Sequence, residues 1–359
     1  MRNINAGVHA IVGFEFQRNS CLFLFLENYQ SLKNLNYFIS LEHYDDIIFA
    51  FRNTENELIK VSTFQAKKSS VTWKNSQLFE IFQKICDVGI SLHSDKMKKS
   101  KTYIQNHFFI SNNSIKLEYK DSTTQKKKQV LISESNERVN FSTLDKECQD
   151  LFLNGNDSIK FTKVQKNQFP SISLGFIDLP KNAKEQLELL AAKFKTEFGK
   201  SILDHEAARD LFLKYLKEIE GKYNQGGTLQ LYNPSKMLES LKINQLLNVL
   251  TTKNLALNFC RQQAEKICEE LSINIVDATS FELLFENSLD KFKDLQQGEH
   301  QKIIQFIELK KPVFLKHTKE VSCIAELFNL FTKEKNTALS PMALKAAIAA
   351  GYYLIKTQK

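Results

Sequence analysis

The chain has 359 residues, 42% of them hydrophobic and 25% charged, with a formal net charge of +8. These values describe folded globular protein with room for two domains, and they exclude a disordered or collagen-like chain. No apolar run approaches the roughly 18–20 residues that a membrane span needs, so no membrane association is expected.

The charge is uneven. Between residues 60 and 130 there are fourteen Lys, no Arg and only five Asp or Glu, which leaves the rest of the chain close to neutral. Basic charge gathered in one segment suits a phosphate-backbone partner, whereas each lysine run alone reads as a solvated face. Six scattered cysteines without a CxxC pair suggest reduced thiols rather than a zinc site or a disulfide framework. No cleavage signal follows the short apolar run Cys21 to Leu26, so a cytoplasmic location is expected.

In chain order, residues 8 to 29 read as a deeply buried helix, although CLFLFL alone also suits a strand. A strand at 37–41 follows. Residues 41–68, LEHYDDIIFAFRNTENELIKVSTFQAKK, read as an acidic corner and then two strands joined by the turn Asn53-Thr54-Glu55-Asn56. Leu78, Ile81, Phe82, Ile85 and Val88 mark a helix over 75–91, and residues 102–111 a strand. Residues 112–160 are the least legible, with a short helix at 143–153; a strand is expected at 171–179. Beyond Pro180, helical stripes recur, Gly226-Gly227 and Pro234 punctuate, and Ser340-Pro341 caps a final helix. The expected architecture is an α/β domain over 1–180, a mixed central sheet flanked by helices, followed by an all-α region over 181–359. No glycine-rich phosphate loop, HxH or HExxH spacing, or nucleophile elbow is present, which weakens nucleotide-hydrolase, histidine-metal and serine-hydrolase readings.

In the expected hairpin, the start of the first strand lies beside the end of the second. Gln65 and Lys67 share a strand face, so they would meet Asp45 and Asp46 at one end of the sheet. Oxygen donors beside an ammonium form a constellation suited to divalent-metal phosphodiester hydrolysis.

An acidic residue leading into a strand, then a strand ending in (E/Q)xK, resembles the PD-(D/E)XK restriction-endonuclease superfamily. Gly13-Phe14-Glu15-Phe16-Gln17, Glu42-x-x-Asp45-Asp46-Ile47 and Gln65-x-Lys67 occur here in the order of the nuclease domain of CD-NTase-associated anti-phage effectors. The same domain forms LmuA, the nuclease subunit of Lamassu defence systems. The resemblance covers about the first half of the chain. It implies a restriction-endonuclease-like fold and a Mg²⁺- or Mn²⁺-dependent DNA endonuclease. Asp46 and Gln65, with Asp45 as the weaker candidate, would hold the metal. Lys67 would orient water or offset phosphate charge, and Glu42, Gln17 and Glu15 would support the geometry. Gln65 stands where many members carry Glu, which implies weaker metal affinity. Lys68, Lys74, Lys98, Lys99 and Lys101 are the candidate DNA-gripping residues.

The resemblance also implies a defence setting: an SMC-like ATPase and an accessory subunit as partners, restraint by assembly, and activation by self-association into a homo-oligomer. Taken singly, paired carboxylates at a strand start are more often exposed turn residues, and a Gln/Lys pair at a strand end is more often solvated. Their joint occurrence with the basic segment favours the nuclease. The competing reading is a catalytically silent nuclease-fold protein that binds nucleic acid or scaffolds a complex.

Overall fold

A computed structural model describes residues 6–202, 204–222 and 230–357. The first half contains α1 (Ala6–Glu27), α2 (Tyr29–Leu32), β1 (Asn36–Leu41), β2 (Ile47–Arg52), β3 (Leu58–Lys67), β4 (Trp73–Lys74), α3 (Asn75–Ser94), β5 (Lys99–Ser111), β6 (Ile115–Lys120), β7 (Lys127–Ile132), β8 (Arg138–Asn140), α4 (Lys146–Asn154), α5 (Lys163–Lys166) and β9 (Ile172–Phe176). Then follow α6 (Ala183–Phe198), α7 (His205–Glu220), β10 (Leu238–Glu239), α8 (Ser240–Glu270), α9 (Ala278–Lys293), α10 (Gly298–Leu309), α11 (Lys311–Phe314), α12 (Glu320–Glu334) and α13 (Pro341–Lys356). The expected mixed sheet with flanking helices and the helical C-terminal region are both present.

The main sheet has seven strands in the order β10-β1-β2-β3-β5-β9-β8. Neighbours from β10 to β3 are antiparallel, β3-β5-β9 run parallel, and β8 returns antiparallel. The hairpin forms because the continuous apolar run Ile47–Phe51 on β2 and the buried residues of β3 fill both faces of central strands, while Asn53 organises the turn. Its Oδ1 accepts from the amides of Glu55 and Glu57, and Asn56 takes φ +60°, a conformation that Asn tolerates well. One face of the sheet packs on α3: Val88 and Leu92 join Phe38, Ile48, Ala50 and Val61 in one cluster. Gly89 lets α3 come close, since a Cβ there would stand 2.8 Å from Nε2 of His107 on β5.

The other face is covered by α1, whose apolar residues from Phe16 to Leu26 are buried as expected. Ile11 and Phe14 in the first half of the same helix are exposed. Helix α1 also packs on α7, with the Phe25 and Phe212 rings 5.3 Å apart.

The structure divides differently from the expected boundary at 180. The first compact unit comprises Met1–Glu197 with His205–Leu241, and the second comprises Phe198–Asp204 with Lys242–Lys359. Helices α6 and α7 and strand β10 therefore belong to the first unit. Their apolar stripes resemble those of the later helices, but the residues they cover lie on α1 and β1. Gly226 and Gly227 lie outside the described residues. The second unit has its own core, built around Phe281, Phe285, Ile303, Ile307, Leu327, Phe331 and the alanine-rich α13. Ser340 caps α13 by accepting from the Ala343 amide. All six cysteines are free and buried. Among the described residues, no helix is long and apolar enough to cross a membrane.

Candidate metal and phosphodiester site

Asp46 is the hub of the candidate site. It immediately precedes β2, and the register that pairs Ile47 with Phe64 sets it opposite Gln65 on β3. Its side chain is buried at 4% exposure, yet it receives four donors. Oδ2 accepts from Gln65 Nε2 and, at 3.0 Å, from the Ala66 amide; the Lys67 ammonium lies 3.4 Å from the same oxygen. Oδ1 faces the Lys84 ammonium, also at 3.4 Å, which reaches in from α3. The spatial convergence of Asp46, Gln65 and Lys67 expected from the hairpin is present in the geometry.

The corner before β2 is tightly folded. Glu42 takes φ +48°, a left-handed conformation unfavourable for most L-residues. It is held by bonds from its amide to Asp46 O and from the His43 amide to Asp45 O. The Lys236 ammonium, 2% exposed, donates to the carbonyls of Leu41 at 3.2 Å, Glu42 at 3.0 Å and Glu220 at 3.2 Å. The same returning segment gives Gln230 O to His43 and the Leu231 amide to Asp95, before β10 pairs with β1. Glu220 in turn pairs with Arg18 of α1. This cage joins residues almost 200 positions apart, and neither Lys236 nor Lys84 was among the sequence-derived candidates.

Burial raises the Glu42 carboxyl above its ordinary range, and the nearby Asp46 charge raises it further. Lys84, a hydrogen bond from Gln17 and Lys67 oppose that rise. Gln17 thus reaches the acidic corner from α1. Glu15 does not share that placement: two residues along a helix turn by roughly 200°, so it points away from the side that Gln17 presents. Asp45 is buried and pushed up to about 7, first by burial and then by the Asp46 charge; Lys84, the Asp46 amide and Thr63 oppose the shift. Behind Asp45, Thr63 Oγ1 lies 2.9 Å from His107 Nδ1, and burial pulls His107 down to about 4, so its ring is neutral.

These directions predict a pH-dependent stability difference. A carboxyl whose folded pKa is raised contributes least once the pH exceeds that pKa, because the unfolded chain ionises first. Asp45→Asn should therefore match the wild type near pH 4. It should gain stability relative to the wild type as pH rises to about 7 and hold a constant gain of about 4 kcal/mol above that. Paired thermal scans across pH check this; a pH-independent difference would show that Asp45 holds its proton no more tightly in the fold than in the unfolded chain.

The lysines named from the sequence separate. Lys68 follows Lys67 directly, and Lys74 lies on β4, whose Trp73 bonds Ser111, the residue paired with Lys67. Lys98, Lys99 and Lys101 lie at the opposite end of the sheet. Because β3 and β5 are parallel, Lys99 pairs with Leu58, about 30 Å along the strand from Lys67. Lys98 there is paired with Glu57, and Lys99 donates to the carbonyls of Asp95 and Met97. These three do not border Asp46. Trp73 packs edge-on against Phe109 and so is not free to stack on a base.

A hard divalent ion fits the oxygen donors at the corner. Gln65 Oε1 and Asp45 Oδ2 are buried without a hydrogen-bond partner, beside the Asp46 carboxylate. Among the described residues, no three His, Cys, Asp or Glu side chains form a ready cluster, so an ion would rest on Asp46, the Gln65 amide oxygen and water. Mg²⁺ accepts such a set, since it keeps several waters and needs only one or two carboxylates. In comparisons with known proteins, the chain matches no family model, no curated protein and no solved structure.

Proposed function

We propose that the chain is a metal-dependent phosphodiester hydrolase acting on DNA. The observation that carries the proposal is the meeting of Asp46, Gln65 and Lys67 at one sheet end, with Lys84 on the far side of the same carboxylate. Asp46 and the Gln65 amide oxygen would hold Mg²⁺ or Mn²⁺, whose chemistry is to polarise a phosphoryl oxygen and acidify a water. Lys67 would orient the attacking water and offset charge that builds on the phosphoryl oxygens. Lys84, half-exposed on α3, approaches from the other side and would grip the adjacent phosphate. Lys68 and Lys74 extend positive charge along the same end of the sheet, a non-specific grip whose strength should fall with salt.

The resemblance described above supplies the wider setting of this proposal, an anti-phage effector subunit restrained by an SMC-like ATPase and an accessory subunit and active as a homo-oligomer. The direct test is incubation of supercoiled plasmid with the purified chain over a range of protein concentrations, with Mg²⁺, with Mn²⁺ and with chelator. The expected result is nicking or cutting that requires metal and increases steeply with protein concentration.

One observation favours the silent alternative. Both oxygens of Asp46 already face a lysine ammonium, an arrangement that neutralises the carboxylate without an ion. Under that reading, DNA binding persists with chelator and no metal produces cleavage.

A further inference from the structure

We infer that the outer face of the small sheet β4-β6-β7 is the surface on which the first unit holds duplex DNA, by its phosphates, beside the acidic corner. Strand β6 lies in the middle, parallel to β4 and antiparallel to β7. Ile115, Leu117 and Tyr119 alternate inwards and are buried, so Lys116, Glu118 and Lys120 point outwards. The register sets Lys74 of β4 beside Lys116, and Lys127 of β7 beside Lys120, on that same face. Four lysines thus stand as two neighbouring pairs about 13 Å apart along β6. Glu118, between the pairs, is the one carboxylate on the outer face of these three strands. It engages Lys116 at 2.8 Å, whereas Lys74, Lys120 and Lys127 form no ion pair among the described residues. The Lys116 bond and charge, opposed by slight desolvation and aided by the Lys127 and Lys74 charges, hold the Glu118 carboxyl below its ordinary range. One acid therefore serves three ammoniums.

Two short links tie this face to Asp46. Ser111, paired with Lys67, accepts from Trp73 Nε1 at 2.8 Å, and β6 starts four residues after it. Helix α3 begins where β4 ends. There Asn75 bonds both the amide and the carbonyl of Glu118, and Lys84, which reaches Asp46, lies about 14 Å further along the helix. Protection of an exposed sheet edge would explain lysines on β7 but not on β6, which has a strand on either side. On the inner face, Lys128 meets Asp121 and Asp145, partners of a kind that Lys74, Lys120 and Lys127 lack. A duplex carries one charge per about 1.7 Å of its axis, so a row of about 13 Å faces about eight phosphates. No aromatic ring of the three strands points outwards: Tyr119 is buried, and Trp73 packs on Phe109. Single strands are held by rings on which bases stack, so this face suits the backbone of a duplex. The inference rests on the phosphodiesterase reading for what the DNA is brought to, while the binding itself needs no cleavage.

The test uses the full chain carrying Asp46→Asn, in chelator, and a labelled duplex of about 30 base pairs titrated by fluorescence anisotropy over a range of salt concentrations. In this background, Lys120→Gln/Lys127→Gln should reduce the log–log salt slope by about 2 and weaken binding at least tenfold at about 0.1 M salt. Both positions are exposed, so its thermal transition should stay that of the parent. Glu118→Gln should act in the opposite direction and tighten binding about threefold or more, because it frees Lys116. Lys98→Gln/Lys99→Gln/Lys101→Gln, at the far end of the main sheet, should bind within about twofold of the parent. An unchanged slope in the Lys120/Lys127 variant, an equal loss in the far-end variant, or a single strand bound as tightly as the duplex would overturn the inference. Plasmid cleavage by the wild type is read separately. Cleavage combined with an unchanged slope overturns this surface and leaves the phosphodiesterase reading standing; the expected slope change without cleavage does the reverse.

Discussion

Lys67→Ala is expected to lower metal-dependent DNA cleavage by roughly 10²–10³-fold, the loss seen when one charge-stabilising donor is removed from a reacting centre. The fold should survive. The Lys67 side chain is 40% exposed, and without it Asp46 keeps Gln65, the Ala66 amide and Lys84 as partners. Exposed ion pairs contribute little to stability, so the unfolding midpoint should move by less than about 1 kcal/mol equivalent. Plasmid cleavage and thermal unfolding measured on the same preparation separate the two effects. Cleavage at the wild-type rate would remove Lys67 from the chemistry. A collapsed midpoint would recast it as a structural partner of Asp46.

Lys236→Met should destabilise the first unit by about 3 kcal/mol. Methionine keeps most of the apolar stem but ends one atom short and donates nothing, so the carbonyls of Leu41, Glu42 and Glu220 would lose a shared donor in a buried place. Burial disfavours the Lys236 charge, whereas the Glu42 and Glu220 carboxylates favour it. Its loss would remove a charge that favours the ionised Glu220 carboxylate, leaving Arg18 and Lys217 to oppose its burial. Glu42 would also lose one of the bonds that hold its left-handed backbone, so cleavage should fall together with stability. Urea unfolding followed through Trp73, the single tryptophan and a residue of this unit, reads the change. A midpoint equal to that of the wild type would mean that water replaces the ammonium in the cage.

What could be read in advance follows the range of the interactions. The β2–β3 hairpin was legible because its register depends on two adjacent apolar runs and on a turn only four residues long, and that register sets Asp46 beside Gln65. The β6–β7 hairpin was missed although Ile115, Leu117 and Tyr119 alternate with Lys116, Glu118 and Lys120; the neighbouring lysine run masked the pattern. Helix α9 carries Phe281, Phe285, Leu289 and Phe292 at helical spacing and was equally readable. Lys84 and Lys236 left no such trace. A lysine on a helix or loop looks solvated until the fold brings a carboxylate or a ring of carbonyls to it. The grouping of Lys98, Lys99 and Lys101 with the acidic corner failed for a related reason. Proximity in sequence says nothing about strand sense, and the parallel pairing of β3 with β5 carries them to the other end of the sheet.

The late arrival of β10 bears on how the chain is made. Synthesis runs from the N-terminus, so β1 is an open sheet edge until residues 238 and 239 emerge from the ribosome. Until then the bend at Glu42 has no ammonium inside it. A nascent chain holding every residue of the β2–β3 hairpin would still lack a finished acidic corner, so any DNA-cutting capacity would begin only after about two thirds of translation.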